Sequence, residues 1–244
     1  MSFSKLSAFY ILSLFIFTGC SSVYMPNVPV VPMFTGKGQL HVGGHTSIKG
    51  NLSGNVAVSL SDHFAVFANG STLKNMATRK DVQQQTWEVG VGYFDNFGIK
   101  KNRVFEVYAG YGKGSTDKIF KDYTYAGSIP TEILDVDLSK VFVQVNYSSI
   151  KKHKLKLFGE DYPINYGTAL RLSHVAMQDF KINGTDHPTE YNVLVEPIFF
   201  TRMEVAKNLQ LQYSNGMNIG LISRGYLKAG NTVFTLGVVY TLGK

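Results

Sequence analysis

From Gly38 onward the chain alternates apolar and polar residues with a period of two, the pattern of β-strands. The alternation predicts about ten strands, within a range of roughly eight to twelve. The candidate strands occupy 40–48, 56–60, 64–73, 87–93, 103–112, 138–147, 164–177, 191–205, 208–223 and 232–242. Asn215-Gly216 leaves open a hairpin within the ninth candidate.

The connections between these strands alternate between short and long. Short connections are expected at 61–63, 95–102 and 206–208, and longer ones at 74–82, 113–137 and 178–190. Up-and-down barrels have turns at one end and loops at the other. The sequence therefore predicts an all-β protein whose residues 38–244 form one antiparallel up-and-down β-barrel.

The first 19 residues predict a secretory signal peptide. Lys5 precedes an apolar stretch at 6–17 and the small residues Thr18 and Gly19. Cys20, the only cysteine of the chain, follows directly. The apolar stretch is too short for a comfortable membrane span.

Phe17-Thr18-Gly19-Cys20 resembles the lipobox of bacterial lipoproteins. The resemblance implies cleavage before Cys20 and acylation of the Cys20 thiol and of the new N-terminus. Each buried methylene of an acyl chain adds about 0.8 kcal/mol, so several chains hold a protein at a membrane. Ser21 and Ser22 bring no acidic sorting residue, so we expect outer-membrane lipid as partner and an anchor in the periplasmic leaflet.

Residues 20–37 are predicted to be a tether between the lipid and the barrel. Pro26, Pro29 and Pro32 recur at every third position, which suits a polyproline II helix with three residues per turn. Such a segment works as a stiff spacer.

Alternation alone leaves two orientations of the barrel wall open. A membrane barrel turns its apolar face to lipid and pairs its charges in a polar lumen. A lipocalin-like barrel encloses an apolar ligand and exposes its charges to water. The charged residues on the less apolar strand faces are Glu88, Arg171, Glu196, Arg202 and Glu204.

Aromatic residues near the proposed strand ends favour membrane insertion, because girdles of such residues mark the two interfaces of membrane barrels. These residues are Tyr93, Phe94, Tyr147, Tyr213 and Tyr240. The composition agrees, with 13% aromatic residues, only 17% charged residues and 24 glycines. The net charge of +7 suits anionic headgroups, and the leader argues against nucleic acid as a partner.

One strand carries a candidate for hydrolysis. His45 and Ser47 share a strand face, so His45 could activate Ser47, with Glu88 or Glu106 orienting the imidazole. This His-x-Ser strand resembles that of lipid A deacylases, but Ile48 stands where that family has asparagine. The six histidines lack metal-ligand spacing, so no metal, cofactor or enzymatic activity is predicted.

Five short motifs together resemble uncharacterised Bacteroidetes-type outer-membrane β-barrel lipoproteins. They are the lipobox, Tyr24-x-Pro26, Lys37-Gly38-Gln39-Leu40, and the strand ends Gly90-Val91-Gly92-Tyr93 and Gly237-Val238-Val239-Tyr240. The resemblance implies an outer-membrane barrel with a structural, envelope or narrow-pore role. The alternatives are a lipid-anchored lipocalin-like binder of an apolar molecule and a lipid A deacylase-like hydrolase; lipopolysaccharide is a further candidate partner.

Overall fold

The computed structural model describes residues 22–98, 100–125, 127–157 and 159–243. The predicted leader and the predicted lipidation residue Cys20 lie outside these described residues. Within them, no helix is long and apolar enough to cross a membrane. Their regular structure is all β, as predicted.

The described residues form twelve strands in one antiparallel sheet. The strands are β1 (Leu40–Ser47), β2 (Asn51–Ser59), β3 (Phe64–Met76), β4 (Lys80–Phe97), β5 (Arg103–Thr124), β6 (Gly127–Leu157), β7 (Glu160–Ile182), β8 (Thr185–Asp186), β9 (Tyr191–Ala206), β10 (Leu209–Met217), β11 (Ile219–Gly220) and β12 (Thr232–Leu242). Pairing of β1 with β12 and of β7 with β9 closes the sheet. Ten strands make the barrel, which confirms the prediction, while β8 and β11 add short pairings to β7 and β9.

Several strands are longer than the alternation predicted. Residues 113–137, predicted as a long connection, belong mostly to a ladder of β5 and β6 that continues to the pair Thr124 and Gly127. Lys113 and Asp117 point outward there, so apolar alternation stops although backbone pairing continues. The hairpin considered at Asn215-Gly216 does not form, because Gly216 pairs with both β9 and β12.

The two ends of the barrel differ in their connections. One end, the short-turn rim, carries the links β2–β3, β4–β5, β6–β7 and β9–β10, and β1 begins there. The other end, the long-loop rim, carries the remaining links. These include the two longest links between barrel strands, 183–190 from β7 to β9 with β8 inside it and 218–231 from β10 to β12 with β11 inside it. The asymmetry agrees with the up-and-down barrel predicted from the sequence.

The outer face of the barrel wall is apolar, and its inner face carries polar and charged residues beside apolar clusters. Val89, Val91, Leu170 and Phe199 point outward, with 46–58% of each exposed. The residues between them on the same strands face the lumen, where charged side chains such as Glu88, Arg171 and Glu196 are buried. This orientation is opposite to that of a lipocalin-like binder.

Four of the five aromatic residues predicted to form girdles point outward. These are Tyr93, Tyr147, Tyr213 and Tyr240, each 38–45% exposed. The prediction is wrong for Phe94, which is fully buried. Phe94 follows Tyr93 in the same strand, and successive side chains of a strand point to opposite faces.

Candidate functional site: the occupied lumen

The described part of the predicted tether lies inside the barrel. Residues 22–34, here called the lumenal segment, form no strand or helix, and nearly all of them are buried. The segment carries no charged residue and is apolar apart from Ser22 and Asn27. Burial of such a chain is favourable if its backbone finds hydrogen-bond partners. A spacer outside the barrel would leave these side chains in water.

Lumen side chains supply partners along the first half of the segment. The Gln84 amide accepts from the Met25 backbone N–H (3.0 Å) and donates to the Met25 carbonyl (3.2 Å). Ser71 and Thr86 donate to Asn27 Oδ1 at 2.6 and 2.5 Å. An extended chain makes no internal hydrogen bonds, so these contacts hold it in place.

The second half of the segment is held in the same way. Gln144 donates to the Val30 carbonyl at 2.7 Å, and Arg202 donates to the Val31 carbonyl at 2.6 Å. The Met33 N–H donates to Glu106 Oε1 at 3.1 Å. The wall therefore recognises backbone atoms of the segment at several depths.

A buried network of ion pairs surrounds Tyr24. Glu88 accepts from Lys140 Nζ (2.8 Å) and from Arg171 Nη1 (3.0 Å). The Tyr24 hydroxyl donates to Glu196 (3.0 Å) and accepts from Lys140 Nζ (2.8 Å). The segment is thus a member of the network, since its only phenol bridges a lumen cation and a lumen anion. Removal of one member would leave a buried charge without its partner.

Sequence reasoning placed part of this network in the lumen. Glu88, Arg171 and Glu196 lie there as the membrane orientation predicted, and Arg202 bonds to Gln212 (2.6 Å). Glu204 is half-buried nearer the short-turn rim.

Lys140 is a lumen cation that the sequence analysis did not name, although the strand alternation around it indicates an inward position. Lys140 shares the inward face of β6 with Phe142, Gln144 and Asn146, whereas Val141, Val143 and Val145 point outward. Alternate residues of a strand share a face, so the outward positions of the three valines predict that Lys140 points into the lumen.

Little free space remains beside the network. A cavity of about 10 Å³ lies against Tyr24, Glu88 and Lys140. A cavity needs about 10–15 Å³ to hold one water molecule. On the side of Tyr24 that faces Glu88 and Lys140, the segment and the wall therefore leave room for about one water molecule.

The residues of the hydrolase hypothesis are not assembled into a triad among the described residues. His45 is buried at the lumen wall, and its Nδ1 has no hydrogen-bond partner among the described residues. The Ser47 hydroxyl accepts from the Asn51 N–H at 3.1 Å, while Glu88 and Glu106 are occupied by the contacts above. In the part of the chain that the structure describes, no three histidine, cysteine or acidic residues are placed to hold a metal.

No family model matches the chain, and no curated protein matches it either. Among solved structures it is similar to the translocator domain of the autotransporter NalP from Neisseria meningitidis, with 10% identity over 83% of this chain and 86% of that one, at a TM-score of 0.41. A KdgM porin is similar with 10% identity over 83% and 98% of the two chains, at a TM-score of 0.34. At these scores the similarity adds nothing to the barrel geometry described above.

Proposed function

We propose that the protein is an outer-membrane β-barrel lipoprotein with a structural role in the envelope. Its lumen is closed by its own N-terminal segment, and Cys20 carries the acyl anchor. The observation that supports this function best is the orientation of the wall, apolar outside around a polar, occupied lumen. A narrow-pore role would require the lumenal segment to leave.

Two physical arguments support insertion in a membrane. Large exposed side chains such as Val91, Phe199 and Leu236 surround the barrel, and soluble monomers rarely expose apolar patches of that extent. A closed barrel also satisfies its strand backbone internally, which is the condition for crossing hydrocarbon with strands. A binder of an apolar ligand is not proposed, because the apolar clusters inside the barrel already pack against the lumenal segment.

Membrane extraction and palmitate labelling of the full chain test the two parts of the proposal separately. We expect the protein to resist alkaline extraction and to migrate faster on gels before heating than after it. It should incorporate labelled palmitate, and Cys20→Ala should lose the label. Extraction into the soluble fraction would contradict insertion, and an unlabelled wild-type protein would contradict lipidation.

A further inference from the structure

The lumenal segment passes through the whole barrel in one direction. At the long-loop rim, Lys118 Nζ donates to the Ser22 carbonyl (3.3 Å), and the Val23 N–H donates to the Tyr226 carbonyl (3.3 Å). At the short-turn rim, the Lys37 N–H donates to Asp62 Oδ1 at 3.0 Å. The chain therefore enters the lumen at one rim and leaves it at the other, just before β1.

The contacts with β4 follow the order of the sequence. Met25 bonds to Gln84, Asn27 bonds to Thr86, and Phe34 packs on Phe94 with 5.7 Å between ring centroids. These three positions of β4 progress from the long-loop rim towards the short-turn rim. The segment therefore runs alongside β4 without turning back.

The length of the segment matches a complete passage. The ten residues 23–32 span about 28 Å at roughly 3.1 Å per residue, before the backbone turns at Met33, which has a φ of 60°. The hydrocarbon core of a bilayer is about 30 Å thick. A chain that runs this far in one direction inside a membrane barrel emerges on the opposite side of the membrane.

From this passage we infer that the acylated N-terminus is delivered through the barrel to the long-loop rim. Cys20 comes two residues before Ser22 in the sequence, and two residues of chain reach at most about 7 Å. Long loops of bacterial outer-membrane barrels face the outside and short turns face the periplasm. The anchor would then insert in the outer leaflet at the cell surface, not in the periplasmic leaflet expected from the sequence. This inference rests on the proposed function.

The surroundings of Ser22 suit a lipid anchor. Ser22 lines a cavity of about 270 Å³ together with Lys49, Lys80 and Lys118, whose charges complement anionic headgroups. Lys49 lies in the short turn between β1 and β2, and the neighbouring Ile48 is 96% exposed. An acyl chain leaving the lumen here has an apolar outer wall beside it.

Thiol labelling on intact cells tests the side on which the segment emerges. Three variants each carry one reporter: Ser22→Cys at the start of the segment, His187→Cys at the long-loop rim and Lys207→Cys at the short-turn rim. We expect a membrane-impermeant maleimide to label Ser22→Cys and His187→Cys on intact cells, and Lys207→Cys only after permeabilisation. The inference would be overturned if Ser22→Cys, like Lys207→Cys, were labelled only after permeabilisation. Labelling of Lys207→Cys on intact cells would overturn it too.

A cross-link inside the barrel tests the passage itself and needs no accessible reporter. Asn27→Cys with Ser71→Cys should be joined by a short thiol cross-linker, because these side chains are in contact. Asn27→Cys with Lys207→Cys, at the far rim, is the matched control. The decisive result is a protein that is heat-modifiable and palmitate-labelled but forms no cross-link between Asn27→Cys and Ser71→Cys. That result would overturn the inference and leave the proposed function intact.

Discussion

Inward-facing glycines make room for aromatic rings in the lumen. A Cβ added to Gly92 would lie 2.3 Å from Tyr108 Cδ1 and 2.2 Å from the Val107 carbonyl oxygen. Gly110 faces Phe142 with a similar approach, 2.2 Å from an added Cβ to the ring. These contacts show that the glycines relieve crowding on the inner face of the closed sheet.

Gly92→Ala should destabilise the barrel by about 1–3 kcal/mol, the usual cost of overpacking, because the backbone carbonyl of Val107 cannot move aside cheaply. The matched control is Gly54→Ala, where the nearest atom to an added Cβ is 3.9 Å away. The measurement is the temperature at which the heat-modified gel band appears. Equal temperatures for the two variants would contradict the packing argument.

Glu88→Gln should weaken the barrel by about 3 kcal/mol, because Lys140 and Arg171 would lose a shared buried anion. Urea unfolding in detergent measures the change in free energy. Glu160→Gln, at an exposed position, is the control and should stay near wild type. An unchanged Glu88→Gln variant would show that the network contributes no stability.

At the scale of elements, Glu190 fastens the 221–231 loop over the long-loop rim. Its carboxylate accepts from the backbone N–H groups of Gly225 (2.9 Å), Tyr226 (3.0 Å) and Leu227 (2.7 Å). Partial burial raises the pKa of Glu190, but these three donors outweigh it and hold the pKa below its ordinary value.

The attachment of this loop should therefore depend on pH. A glutamate in an unfolded chain has a pKa of about 4.3. Because the folded pKa is lower, the stabilisation is fully present above about pH 4.3 and is lost as pH falls through the folded value. Amide protection factors of Tyr226 and Leu227 should drop in that window. Glu190→Gln should show weaker protection without this dependence, and a wild-type loop that stays protected at low pH would contradict the assignment.

The sequence predicted strands best where one face meets the apolar surroundings. β12 was predicted at 232–242 and observed as Thr232–Leu242, because five outward apolar residues alternate with inward ones along it. β5 and β6 were predicted too short. Towards the long-loop rim the outward faces of β5 and β6 carry polar residues, such as Lys113, Ser115 and Asp135. The sequence there resembles that of a loop, although the two strands remain paired.

The place of the lumenal segment was not predictable from its own residues. The spacing of Pro26, Pro29 and Pro32 indicates an extended chain, and extended chain is what the structure has. Its position depends on partners more than fifty residues away, such as Gln84 and Gln144. The composition of the segment is the one local feature that favours a buried position, because a solvated tether would have more polar residues.

For the whole molecule, we expect the intact protein to be closed to ions. The lumen holds Glu88, Glu106 and Glu196 together with Lys140, Arg171 and Arg202, so its wall is balanced without any charge from the segment. Tyr24→Glu would add a third anion beside Glu88 and Glu196 and should drive the segment out.

Planar bilayer recordings test this expectation. The wild type should be silent, and Tyr24→Glu should show small conductance steps. Tyr125→Glu, at a fully exposed position between β5 and β6, introduces the same charge away from the lumen and should be as silent as the wild type. Wild-type conductance equal to that of Tyr24→Glu would show that the segment does not block the lumen.

The seam between β1 and β12 sets the order of assembly. β12 is made after the other strands described here, and the barrel is complete only when its residues pair with β1 from Leu40 to Ser47. A lipidated end, as proposed for Cys20, would be too bulky to be drawn afterwards past the close packing of Tyr24 against Glu88 and Lys140. On that proposal the nascent sheet would wrap around the preceding chain before β12 pairs with β1, and acylation and translocation of the N-terminus would come before ring closure.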